Sequence, residues 1–289
     1  MEQPFIFESG GTRVVGRLHM PATQPRGAVV LTGPLTSVKE QAAGAYARAL
    51  AQRGFFALAF DHRYFGESGG EPRQFENPVA KIEDIGAAAS ALRSDARTRG
   101  QPVFAVGVCA GGGYMARAVA NGNGFAAFAG VAGYYGEATP QSIAANQARI
   151  ARGQAAEKRW RETHVAETIP AVSADNKDVA MPLREAFEFY GTPRGAVPNY
   201  VNGYAVQSFA YTIPFDSVGA AHDIKVPTLM VHSEHALAPP LARKFYSGLA
   251  GPHQELWLNS QGQIDFYDDP TLISQATDAI SGWFEHSVR

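Results

Sequence analysis

Along most of this chain, short unbroken apolar runs alternate with stretches whose apolar residues recur at helical spacing. Phe5 to Phe7 and Arg13 to His19 are β-like runs separated by Gly10-Gly11, which predicts a hairpin. Ala28 to Leu31 is continuously apolar and ends at Thr32-Gly33-Pro34, as expected of a strand covered on both faces of a parallel sheet. From Lys39 onward, Ala43, Tyr46, Ala47 and Leu50 share a helical face, and Gly54 stands at the C-terminal cap position before the strand Phe55 to Phe60. Asn77-Pro78 supplies an N-cap and a first-turn proline for a helix bearing Ile82, Ile85, Ala89 and Leu92 on one side. Pro102 to Val108 reads as a strand running into Cys109-Ala110-Gly111-Gly112-Gly113, and Tyr114 to Ala120 reads as helix. Phe125 to Ala132, Thr228 to Val231 and Glu255 to Leu258 predict further strands, and Ile273, Ala276, Ile280 and Trp283 predict a closing amphipathic helix. Strands alternating with helices specify an α/β class with a mostly parallel, doubly wound sheet.

The rhythm breaks from about 137 to 215, where helical sequence up to Trp160 gives way to a stretch holding Pro170, Pro182, Pro193 and Pro198 and then to aromatics from Tyr200 to Phe215. An insertion this long between two strands predicts a helical cap over a site, residues 137–215, set into a core of residues 1–136 and 216–289. Tyr204, Phe209, Tyr211 and Phe215 give that cap an aromatic face, which would line a fairly apolar substrate site or bury the cap's own core.

Composition narrows the functions open to such a fold. Lys plus Arg number 25 against 27 for Asp plus Glu, a net charge of −2, so no basic surplus is offered to nucleic acid. No apolar run approaches the roughly 20 residues of a membrane-spanning helix, and the N-terminal MEQPFIFESGG lacks the features of a signal peptide. A cytoplasmic protein acting on a small molecule, with no membrane partner, is the expectation; a homodimer is neither indicated nor opposed by the sequence. The single cysteine, Cys109, permits no internal disulfide and no cysteine-based zinc site, so any role for the thiol is as a lone group.

Gly107-Val108-Cys109-Ala110-Gly111 fits a nucleophile elbow with sulfur in place of the usual serine oxygen. The central residue of such an elbow occupies a strained turn between strand and helix, and glycines two positions to either side let backbone approach closely. The following helix directs its N-terminus at the thiol, which favours thiolate and offers the N–H of Ala110 to a developing oxyanion. Leu35 is the expected second donor, since the neighbouring Pro34 has no N–H.

With GVCAGGGY from Gly107 to Tyr114, VKEQ from Val38 to Gln41, FDHRYFGESGGEP from Phe60 to Pro72 and IDFYD from Ile264 to Asp268, the sequence resembles the α/β-hydrolase superfamily. Within it, the chain is similar to the dienelactone-hydrolase-like branch with a cysteine elbow, including bacterial hydrolase-like proteins and fungal polyketide acyltransferases. The resemblance implies an α/β-hydrolase fold and acyl transfer or cleavage of an ester, lactone or thioester, with no metal or organic cofactor.

The chain departs from that pattern at the general base. Relatives ending in THxDxYD would carry histidine where this sequence has Gln263, and an amide cannot accept a proton at neutral pH. The carboxylate position after Thr228 to Val231 falls on His235, beside Glu234. One reading makes His235 the base of Cys109, oriented by Glu234; the other leaves His235 near solvent and Glu234 as a structural acceptor. Tyr134, Tyr135 and Asp265 are candidate pocket residues, with Asp265 alternatively bonded within its own loop. Asp61 and Arg63 suit bracing of a turn, and Lys39 and Glu40 suit solvated or salt-bridged roles. Two functions stay open: an enzyme of specialised metabolism acting through Cys109 by hydrolysis, transfer, cyclisation or isomerisation, and a catalytically retired hydrolase that binds a small molecule or acts non-covalently.

Overall fold

The computed structural model describes residues 1–288. The antiparallel hairpin β1 (Glu2–Ser9) and β2 (Thr12–His19) turns at Gly10-Gly11, both with positive φ. There follow β3 (Gly27–Thr32), α1 (Ala42–Gln52), β4 (Phe55–Phe60), α2 (Pro78–Ser94), β5 (Val103–Val108), α3 (Ala110–Ala120) and β6 (Phe128–Val131). The insertion carries α4 (Pro140–Ala145), α5 (Gln147–Thr163), β7 (Thr168–Ile169), α6 (Arg184–Tyr190), β8 (Tyr204–Ala205) and α7 (Phe209–Thr212). The chain then returns to the sheet with β9 (Thr228–His232), α8 (Pro239–Ser247), β10 (His253–Trp257), α9 (Asp265–Asp268) and α10 (Pro270–Ser287).

The main sheet has the order β1-β2-β4-β3-β5-β6-β9-β10, with β2 antiparallel to β1 and β4 and the other pairs parallel. This is the α/β-hydrolase fold. Strands β3, β4 and β5 are buried along their whole length, which explains their unbroken apolar sequences. The order of connections reverses between β3 and β5, so the loops leaving these neighbours diverge and open a crevice at their carboxyl ends. Thr32 pairs with Gly107, which sets the loop after β3 beside the turn after β5.

Helix α2 begins at the proline the sequence marks, with the Asn77 side chain accepting from the N–H groups of Val79 and Ala80. Helix α3 starts four residues earlier than apolar periodicity indicates, because the glycines of the turn are already helical. The insertion leaves and rejoins the core at one neck, where the N–H groups of Ser217 and Val218 donate to the Gly136 carbonyl at 2.9 and 3.1 Å. It has a small core of its own in Ala156, Ile169, Tyr204, Val206 and Phe209.

Candidate active site

Cys109 precedes α3 with φ 55° and ψ −125°, a strained conformation for a residue with a Cβ. Its glycine neighbours explain how the turn closes. A Cβ on Gly107 would collide with the Gly111 carbonyl oxygen, and one on Gly111 would lie 2.5 Å from the Gly33 oxygen and 2.7 Å from that of Thr32. Both glycines are therefore required by backbone packed on backbone.

The loop after β3 is fastened residue by residue. The N–H of Thr36 donates to Glu76 Oε2 at 3.1 Å, that of Ser37 to the Pro34 carbonyl at 3.2 Å, that of Val38 to Gln41 Oε1 at 3.1 Å, and that of Lys39 to Asp61 Oδ1 at 2.8 Å. The N–H of Leu35 is instead directed at the Cys109 sulfur, as is that of Ala110. The two N–H groups thus converge on one point beside the sulfur. The anchors are themselves buried: Glu76 binds Lys81 Nζ at 2.5 Å and the Tyr114 hydroxyl at 2.8 Å, and Asp61 binds Lys39 Nζ at 2.8 Å. Lys39 also pairs with Glu40 and Glu67, and Arg63 with Asp84 and Glu83, so these charges brace loops.

Cys109 is 7% exposed. Burial pushes its thiol above the ordinary range, against the donors that surround it: the Tyr267 hydroxyl, the N–H groups of Ala110 and Leu35, and Gln263. Burial thus acts against the thiolate that the helix terminus would favour, and its effect exceeds that of the hydrogen bonds. Since only the thiolate is nucleophilic, iodoacetamide should alkylate the folded protein with a midpoint above the unfolded chain's, which lies near pH 8.5. A rate-against-pH curve with a midpoint below that of the urea-unfolded protein would contradict the burial argument.

Gln263 is buried beside the sulfur and spans three elements. Its Oε1 accepts from the Leu237 N–H at 2.8 Å, and its Nε2 donates to the Ala132 carbonyl at 2.9 Å and the Tyr267 oxygen at 3.4 Å. With the Tyr267 oxygen accepting from Gln263, its hydroxyl hydrogen is free to point at sulfur. Tyr267 lies inside IDFYD but was not singled out by sequence, because an aromatic flanked by apolar residues reads as core.

Glu234 and His235 do not reach this cluster. Ser233 makes a tight turn, accepting the His235 N–H on its hydroxyl and the Ala236 N–H on its carbonyl, which throws both intervening side chains outward. Both are exposed, and Glu234 is held by Arg243 of α8. Neither is on the cavity wall. The expectation for Tyr135 also needs correction, since it stacks on Phe245 at 3.9 Å and is not on the cavity wall. Asp265 takes the second of its two readings, accepting the Gln261 N–H of its own loop at 2.7 Å. Tyr134 does line the cavity and is partly exposed.

The cavity above Cys109 has a volume of about 440 Å³ and lies between the core and the insertion. Leu35, Met181, Phe209, Ile213, Phe215 and Ile264 make much of its wall apolar. Tyr204 and Phe209 face both this cavity and the insertion's core, whereas Tyr211 turns away to donate to Glu157. Among the described residues, no group of three His, Cys, Asp or Glu side chains is placed to hold a metal ion, and no helix is long and apolar enough to cross a membrane.

Residues 23–186, containing the loop after β3 and the turn at Cys109, match the family described as serine aminopeptidase, S33 (Hydrolase_4). The chain belongs to this α/β-hydrolase family. It is similar to the uncharacterized protein YcjY of Escherichia coli K12, 29% identical over 272 residues that cover 90% of this chain and 89% of that protein. The crystal structure of the hypothetical protein PA2218 from Pseudomonas aeruginosa superposes with a TM-score of 0.87 at 24% identity, covering 99% of this chain and 94% of the other. A structure of DcsB in complex with its substrate analogue superposes with a TM-score of 0.86 at 19% identity, covering 100% and 99%. In this member of the S33 family the elbow residue is cysteine.

Proposed function

We propose that this protein is a cofactor-independent hydrolase of the dienelactone-hydrolase-like branch, cleaving an apolar ester, lactone or thioester through a covalent acyl intermediate on Cys109. The observation that carries this reading is the Cys109 sulfur at the floor of an apolar cavity with the Leu35 and Ala110 N–H groups directed at it. Sulfur attacks the carbonyl carbon, the two N–H groups hold the oxyanion, and the carbon–oxygen or carbon–sulfur bond to the leaving group breaks. The thiol proton leaves with the departing group. The Tyr267 hydroxyl, which donates to sulfur, steadies the negative charge that builds there as the proton leaves. Gln263 occupies the seat of the usual histidine and makes the triad degenerate, which also leaves room for acyl transfer or cyclisation to a better-placed acceptor.

A second reading, a retired hydrolase that binds its ligand without covalent chemistry, is favoured by the upward shift of the buried thiol and by the absence of histidine from the cavity wall. Intact-mass measurement after mixing with p-nitrophenyl hexanoate separates the two. The first reading expects one hexanoyl adduct, mapped to the peptide containing Cys109. An unmodified protein that still binds the ester would select the second.

A further inference from the structure

Among the described residues, the ionisable side chains facing the cavity besides Cys109 are five tyrosines, Arg149, Glu137 and Glu185, with no histidine, lysine or aspartate joining them. Burial pushes Tyr114, Tyr134, Tyr190, Tyr204 and Tyr267 upward, so they keep their protons. Arg149 has no proton-accepting atom. Glu137 is held by Lys244.

Glu185 is different. It sits in the first turn of α6, on the insertion, and pairs with no cation among the described residues. Its Oε2 accepts the backbone N–H of Gln263 at 3.1 Å. Gly262 makes this approach possible, since a Cβ there would collide with that same oxygen. The insertion thus hangs a carboxylate on the loop whose usual histidine is missing, against the cavity that holds the thiol.

We propose that Glu185 is the general base of deacylation, a role that rests on Cys109 forming the acyl intermediate described above. A water entering the cavity attacks the acyl carbon and gives its proton to Glu185 as the carbon–oxygen bond forms. The carbon–sulfur bond then breaks, and the proton held by Glu185 returns to the departing sulfur. The acid is released and both side chains are restored. A carboxylate is a weaker base than imidazole, so this step is slower than in a histidine enzyme, but a positioned base of any kind accelerates it.

The test follows the two half-reactions separately in wild type and Glu185→Gln. Glutamine keeps a carbonyl oxygen for the Gln263 N–H, so the loop stays anchored while the base is lost. The protein is acylated with p-nitrophenyl hexanoate, freed of reagent, and followed by intact mass as the adduct disappears. The expected result is an unchanged p-nitrophenol burst and an adduct lost about 10²-fold more slowly, the low end of the usual contribution of a general base. Equal rates of adduct loss would overturn the assignment. So would a slower burst with a lowered melting temperature, which would reduce Glu185 to a brace for the loop. If wild type shows no burst, the Cys109 reading fails first and this inference falls with it.

Discussion

Cys109→Ser should lose about 10²- to 10⁴-fold in kcat/KM on an activated ester, although serine is the usual occupant of such an elbow. A serine hydroxyl ionises far less readily than a thiol, so it depends on a base that takes its proton during attack. The group beside it is Gln263, whose Oε1 is already engaged by the Leu237 N–H and whose Nε2 is a donor. Adding Gln263→His to the serine variant should recover part of the loss. The recovery has a structural cost: an imidazole facing the hydroxyl with one nitrogen and Ala132 with the other leaves the Leu237 N–H without its acceptor, a penalty of about 1–3 kcal/mol. The double variant should therefore turn over faster than Cys109→Ser and melt lower. A Cys109→Ser single variant with wild-type activity would mean that another base already serves the elbow.

Gly111→Ala should destabilise the fold by about 3 kcal/mol or more, the upper range for overpacking. The added methyl would meet the Gly33 oxygen at 2.5 Å and the Thr32 oxygen at 2.7 Å, both backbone atoms, so no side chain can swing aside. To admit it, α3 must separate from the end of β3, which also parts the elbow from the Leu35 N–H. Gly282→Ala is the matched control. It lies within α10 with nothing inside 4 Å of the new Cβ, and should stabilise by about 0.5–1 kcal/mol. Urea melts of the two variants should move in opposite directions; a Gly111→Ala midpoint equal to wild type would remove the steric account of the elbow.

The elbow was legible in the sequence because its chemistry coincides with a local rule: glycines two residues on either side of Cys109, after a buried strand. That Leu35 sits beside the elbow was legible for a similar reason, since it carries the first N–H after a proline at the end of β3. His235 misled because strand order places its loop near the site, while the direction of its side chain depends on one hydroxyl, that of Ser233. Periodicity cannot show such a turn. Glu76 and Glu185 escaped notice because neither belongs to a motif, and their partners, Thr36 and Gln263, are distant in sequence. The burial of the thiol was not legible, because a helix terminus can be read from the sequence whereas the degree of burial comes only from the assembled core and insertion.

The neck at Gly136 and Ser217 bears on how much change the core tolerates in the segment between them. To the sheet, everything between these residues is a loop with fixed ends, and loop length alone costs little, about 0.6 kcal/mol for each doubling. Changing the length of this segment should therefore cost the sheet little and leave the turn at Cys109 in place. Because Glu185 belongs to that segment, replacing it would change the shape of the cavity and, on the role proposed for Glu185, the group that activates the incoming nucleophile in a single step.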